Sequence, residues 1–357
     1  GEIADQIVSA SALGGGRLSK ADFTGYSIEE AAPVRCAYRG YVLLSAPPPS
    51  SGGITICEIL NVLQAYPLAE LGFHSAASIH LAAEAMRHAF VDRNFLLGDP
   101  DFVNNPSERL LSADHAAAIR SKIEPSRASN SKEVGPGVPP HEGTETTHYS
   151  IVDAAGNAVA VTYTVNALFG AKVIAGRTGF FLNDEMDDFT IKPGTANLFG
   201  LVQGSRNAIA PGKRPLSSMS PTIVLKDGRV FMVLGSPGGS RIISAIVQVV
   251  SNVIDFGMNV QEAVDAPRVH HQWLPDELFV EPFALSPDTR SLLAGMGYKV
   301  TEQTPWGAAE AILIPPLKGM DRAASSGNDA MAAQSSERGL LYGANDNRRP
   351  AGAAVGY

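Results

Sequence analysis

The chain predicts an α+β fold in which helices layer against β-sheets, and three observations carry that prediction. Helical patterns dominate the first third, short β-rich runs follow one another through the middle, and helical patterns return afterwards. With 45% hydrophobic and 18% charged residues over 357 positions, the composition is that of a folded globular protein able to bury such layers.

Taken in order, "GEIADQIVSA" reads like the interior of a helix. It lacks both an initiator Met and the basic start and apolar run of a signal peptide, so the natural start is expected upstream. "YRGYVLLSAPPP" predicts a strand over Tyr41–Leu44 that the prolines at 47–49 stop. "SSGGITICEILNVLQAY" is a glycine-rich turn opening a helix. "SAASIHLAAEAMRHAFVDR" spaces Ile79, Ala82, Ala83, Met86, Ala89 and Phe90 at helical period until "LGDPDF" breaks it. From Pro125 to Glu145 the chain is rich in Pro, Gly and Ser, buries little and reads as a mobile loop. The runs "HYSIVD", "NAVAVTYT", "SPTIVLKDG" and "RVFMVLGSP" are strands punctuated by "AAGN" and "KDGR" turns. A long helix over "SRIISAIVQVVSNVIDFG" is expected to end near Gly257, and another over Pro287–Met296 leads to a last strand pair. Leu317–Glu337, rich in Ala and Ser, reads as a loop.

The bulk numbers exclude some functions. A net charge of −8 lacks the basic footprint of a nucleic-acid binder. No apolar run reaches spanning length, so no membrane span is expected. Cys36 and Cys57 are too few for a disulfide framework and lack zinc-like spacing, which leaves open whether they are bridged.

Four constellations carry candidate chemistry. In "TTHYSIVDAAGNAVAVTYTVN", a hairpin turning near Ala155-Gly156 places Thr146 opposite Thr164 or Val165. Thr164 and Asn166 then share a polar face, while Val159, Val161 and Tyr163 are expected to face a core. A threonine hydroxyl becomes a useful nucleophile when a base sits beside it, and its own α-amine is such a base once the preceding bond is cut. An amphipathic hairpin fed by a linker would look the same. In "GSPGGSRIISAIVQ", Gly238 and Gly239 offer backbone N–H groups between a strand and a helix, suited to an oxyanion, a phosphate or simply a tight turn. No Walker lysine follows. Glu185, Asp187 and Asp188 in "NDEMDDF" lack EF-hand spacing but offer carboxylates for an ammonium group. Ser217 and Ser218 in "KRPLSSMSPT" are short donors for a carboxylate. His270 and His271 invite a metal, yet neighbours on an extended segment point opposite ways.

Together "TTHYSIVD", "NAVAVTYTVN", "NDEMDDF", "KRPLSSMSPTIV", "GSPGGSRI" and "APRVHHQWLPDEL", in this order and after "APPPSSGG" and "LGDPDFV", resemble the γ-glutamyltranspeptidase family over nearly the whole chain. The resemblance implies an N-terminal nucleophile hydrolase with a four-layer αββα sandwich. It further implies a precursor that cuts itself between Glu145 and Thr146, giving residues 1–145 as part of a large subunit and 146–357 as the small, catalytic one. Thr146 would be the nucleophile and Thr164 would position it. The N–H groups of Gly238 and Gly239 would hold the oxyanion. Asn166, Glu185 and Asp188 would grip the substrate's α-ammonium, and Ser217 and Ser218 its α-carboxylate. Glutathione and other γ-glutamyl donors are the implied substrates, with water, amino acids or peptides as acceptors. No metal or organic cofactor is implied. A periplasmic or secreted location is.

"IKPGTANLFGLVQGSRNAIAPGKRP" matches the family's lid loop, with Phe199 where many bacterial members have a tyrosine, so a looser closure is expected. The family's large subunit begins well upstream of Gly1, in a part holding an arginine for the substrate carboxylate. No arginine here matches that motif, and the Leu317–Glu337 insertion departs from the common pattern. Two other readings keep the fold: a cephalosporin (glutaryl) acylase, against which Glu185 and Asp188 argue because a glutaryl chain has no ammonium, and an inactive truncated remnant.

Overall fold

The structure, a computed structural model, describes residues 1–135, 146–315 and 340–356. The Leu317–Glu337 insertion and the end of the proline-rich loop, including Glu145, lie outside the described residues.

Local sequence sets the strand pairs. β1 (Val34–Tyr38) and β2 (Tyr41–Ser45) turn at Arg39 and Gly40, both at positive φ, as a two-residue hairpin requires. β5 (Thr222–Lys226) and β6 (Arg229–Gly235) turn the same way at Asp227-Gly228. These four join β10 (Glu310–Leu313) and β11 (Tyr342–Ala344) in one six-stranded antiparallel sheet of order β1-β2-β5-β6-β10-β11. β7 (Val269–His270), β8 (Leu278–Val280) and β9 (Val300–Glu302) form a separate small sheet. The expected last strand pair is therefore not a pair: β9 lies parallel to β8, and β10 joins β6 and β11.

One face of the large sheet carries the Gly52–Leu63 and Arg241–Ile254 helices, and the Ala76–Leu96 helix packs on the first of these. Every residue of the Gly52–Leu63 helix is buried, because it is enclosed by the sheet and the other two. Its opening glycines permit that: a Cβ on Gly53 would stand 2.4 Å from the Ala46 carbonyl oxygen. A disulfide between Cys36 and Cys57 ties this helix to β1, with Cα atoms 5.8 Å apart. The Arg241–Ile254 helix stops three residues before Gly257, which instead turns the chain beyond it at φ +67°. The Pro125–Glu145 stretch is not all loop, since Ser131–Val134 is a short helix whose first residue is fully buried.

Across the other face lies the hairpin of β3 (Thr147–Val152) and β4 (Ala158–Tyr163), packed on β5, β6 and β10. Among the described residues the layers are thus helix, sheet and hairpin. The hairpin's orientation reverses the expectation. His148 is buried against Gly235, whereas Tyr149, Ile151, Val159 and Tyr163 are 44%, 52%, 48% and 57% exposed. Side chains alternate, so delivering one face to the sheet turns the apolar face outward. Val159 and Tyr163 do not face a core.

Candidate active site

The hairpin register pairs Thr147 with Tyr163, which sets Thr146 opposite Thr164. The two hydroxyls meet, Thr146 Oγ1 donating to Thr164 Oγ1 over 3.2 Å. The Asn166 N–H donates to the same Thr164 oxygen at 2.8 Å. Asn166 is in left-handed backbone (φ 73°), and its amide donates to the Asp184 carbonyl at 3.2 Å. Arg349 donates to the Thr146 carbonyl at 3.3 Å. Thr146, Thr164 and Asn166 line one pocket together with Asp188, Ser217, Ser218, Gly239 and Phe199.

Gly238 and Gly239 stand between β6 and the Arg241–Ile254 helix at φ 136° and 56°. Both values are conformations that residues with a Cβ rarely adopt. Gly239 lines the pocket, and a Cβ there would be 2.4 Å from the Phe199 ring; Gly238 stands one residue behind. Phe199 is buried at 5% exposure, and its carbonyl accepts from Gln272 at 3.1 Å. The Phe199 ring therefore sits on the glycine turn.

The acidic turn folds as a 3-10 helix, Glu185–Asp188. Burial, then the neighbouring Glu185, raises the Asp188 carboxyl well above the usual carboxylate range, with Arg93 opposing. Burial also raises Glu185, whose Oε1 is enclosed with no hydrogen-bond partner among the described residues. Two carboxyls crowded out of water favour an arriving cation. Asp187 does not join them: it caps the Leu198 N–H at 2.7 Å.

Ser217 and Ser218 precede β5. The Met219 N–H donates to Ser217 Oγ at 3.0 Å, and Arg93 donates to Ser218 Oγ at 2.9 Å. Each oxygen is thus already accepting, which leaves each hydroxyl hydrogen to donate, as a carboxylate ligand would need. Arg93 went unnoticed in the sequence. It is 1% exposed and also donates to Ser51, Asn94 and Gln203. The signal was present: position 93 continues the stripe of Met86, Ala89 and Phe90 at i+7, i+4 and i+3, so a charge there had to be buried.

His270 and His271 are buried and held by separate partners. His270 pairs with Ser244 and Gln272, and His271 lies 3.4 Å from Asp276. They do not share a ligand site.

Two facing threonine hydroxyls, a glycine turn at a helix start, and paired carboxyls and paired serines near one pocket on an α+β sandwich are the kinds of groups that acyl transfer uses. Residues 1–355 match the family described as Gamma-glutamyltranspeptidase, and the chain belongs to that family. A glutathione hydrolase proenzyme from Pseudomonas sp. strain A14 is 56% identical over all of this chain and 60% of its own length. A Helicobacter pylori gamma-glutamyltranspeptidase T380A mutant is 50% identical over 57% of this chain and all of its own, with a TM-score of 0.51. The cephalosporin acylase from Bacillus halodurans is 26% identical over 98% of this chain and 57% of its own, with a TM-score of 0.76. The chain spans about three-fifths of the length of the curated relatives it matches first.

Proposed function

We propose that this protein hydrolyses glutathione and related γ-glutamyl compounds and transfers their γ-glutamyl group to amino acids or peptides, using Thr146 as nucleophile. The reading rests above all on the meeting of Thr146 and Thr164 at 3.2 Å in the pocket that Gly239, Asp188 and Ser218 also line. Thr146 Oγ1 first attacks the Glu145 carbonyl. The peptide C–N bond breaks in favour of an ester, and water hydrolyses that ester, leaving a Glu145 carboxylate and a free Thr146 amine. The precursor then becomes residues 1–145, part of the large subunit, and 146–357, the small one.

In turnover the Thr146 amine takes the hydroxyl proton as the oxygen attacks the substrate's γ-carbonyl carbon. Gly238 and Gly239 N–H groups hold the oxyanion, the amine leaving group departs with the proton, and a γ-glutamyl ester remains for water or an acceptor amine. Thr164 positions the nucleophile. Asn166, Glu185 and Asp188 hold the α-ammonium, and Ser217 and Ser218 the α-carboxylate. The buried Cys36–Cys57 bridge supports an oxidising compartment, in keeping with a periplasmic or secreted protein.

Mass spectrometry after incubation with glutathione tests this. A new amino terminus at Thr146 and released glutamate are expected; an uncut chain that releases none overturns it. Likeness to the Bacillus halodurans acylase favours a second reading, a glutaryl acylase. Faster turnover of glutaryl-cephalosporins than of γ-glutamyl-p-nitroanilide would select it.

A further inference from the structure

Away from the pocket, three helices bring a carboxylate, a second carboxylate and an imidazole to one point. Glu58 comes from the Gly52–Leu63 helix, Asp92 from Ala76–Leu96 and His115 from Ala113–Arg120. One ligand atom of each lies within 4.8 Å of the other two. His115 Nε2 is 2.8 Å from Asp92 Oδ2 and 3.2 Å from Glu58 Oε1. Ligand atoms about 2.1 Å from a tetrahedral ion stand about 3.4 Å apart, so a few tenths of an ångström of opening would admit one.

A second observation points to a ligand. Glu58 is 1% exposed, yet its other oxygen, Oε2, is buried with no hydrogen-bond partner among the described residues. An enclosed carboxylate oxygen without a donor is costly unless a cation or a proton answers it. The side chains of His115 and Asp92 remain 14% and 19% exposed, which gives an ion an entry path and a place for water as fourth ligand.

We infer that Glu58, Asp92 and His115 form a binding site for a divalent transition-metal ion of the zinc type, which would clamp the three helices together. One imidazole nitrogen with two carboxylate oxygens suits such an ion better than Mg2+ or Ca2+, which favour all-oxygen shells. On binding, the ion takes the place of the proton that His115 Nε2 shares with the carboxylates, and that proton leaves to solvent. The site is structural and does not depend on the acyl-transfer reading.

Titration of the chelator-treated protein with Zn2+, followed by calorimetry and thermal unfolding, tests it. One ion bound per chain and a Tm raised by several degrees are expected, with affinity at least tenfold weaker in both Glu58→Gln and His115→Gln. Should Glu58→Gln fail to fold, the more exposed His115→Gln decides alone. Zinc bound equally well by His115→Gln, no zinc bound by the unaltered protein, or Mg2+ or Ca2+ bound in its place, each overturns the assignment. The last two outcomes leave a proton or a hard ion as the cluster's partner.

Discussion

At the scale of single residues, the pocket separates charge by burial. Burial, and at Asp188 the nearness of Glu185, hold the Asp188 and Glu185 carboxyls above their ordinary range. A neutral carboxyl grips an ammonium poorly, so the sign is fixed. As pH falls through those raised values the carboxyls protonate, and KM for γ-glutamyl-p-nitroanilide climbs at a higher pH than free Asp or Glu would give. A KM that stays flat to pH 4 would refute this. Asp188→Asn is expected to raise KM by about 3 kcal/mol, roughly a hundredfold, with the chain still folded. Arg93 reaches the pocket only through Ser218, to which it donates. Arg93→Lys keeps the charge but cannot reproduce a fork that serves Ser51, Gln203 and Ser218 together. A KM raised about tenfold with little change in kcat is expected, and equal losses in both would point to a different role.

At the scale of elements, two turns matter most. Gly239 must accept φ 56° and the Phe199 ring at once. Gly239→Ala should therefore lower kcat about a hundredfold, the loss typical of a disturbed oxyanion donor, while leaving the far-UV circular dichroism unchanged. The Cys36–Cys57 bridge fastens β1 to a wholly buried helix. Closing a loop of this size stabilises by about 3 kcal/mol, so a reductant should lower the urea midpoint of the parent and leave a Cys36→Ser/Cys57→Ser variant unmoved. How legible these elements were follows from their physics. Asp227-Gly228 and the Ile79–Phe90 stripe are local signals, and the strand and helix they announce stand where the sequence placed them. β1 was missed because only five residues, Val-Arg-Cys-Ala-Tyr, form it, and Ala37 breaks the apolar/polar alternation that would announce a strand. The partners of β9 and β10 are fixed by distant strands that no local pattern names. The facing of Thr146 and Thr164 was legible from the hairpin pairing. The seat of Arg93 behind Ser218 was not, because a helix and a loop more than a hundred residues apart create it.

At the scale of the whole molecule, residues 1–357, which span about three-fifths of the relatives' length, leave the hairpin's outer face apolar and exposed. Tyr149, Ile151, Val159 and Tyr163 form an exposed patch on an otherwise acidic protein. The chain should bind a hydrophobic dye such as ANS while retaining its near-UV spectrum. A double Ile151→Lys, Tyr163→Lys variant should lose most of that fluorescence, and undiminished dye binding would place the exposed surface elsewhere.

The same strands also leave the molecule little room for error. Sliding β3 by one rung against β4 would carry Thr146 away from Thr164 and press a tyrosine where His148 now meets Gly235. The Asp153–Asn157 clasp at the bend, two contacts of 2.8 and 2.7 Å, is thus a remote guardian of the chemistry. One extra residue spliced in beside it would part Thr146 from Thr164, neither of which it touches.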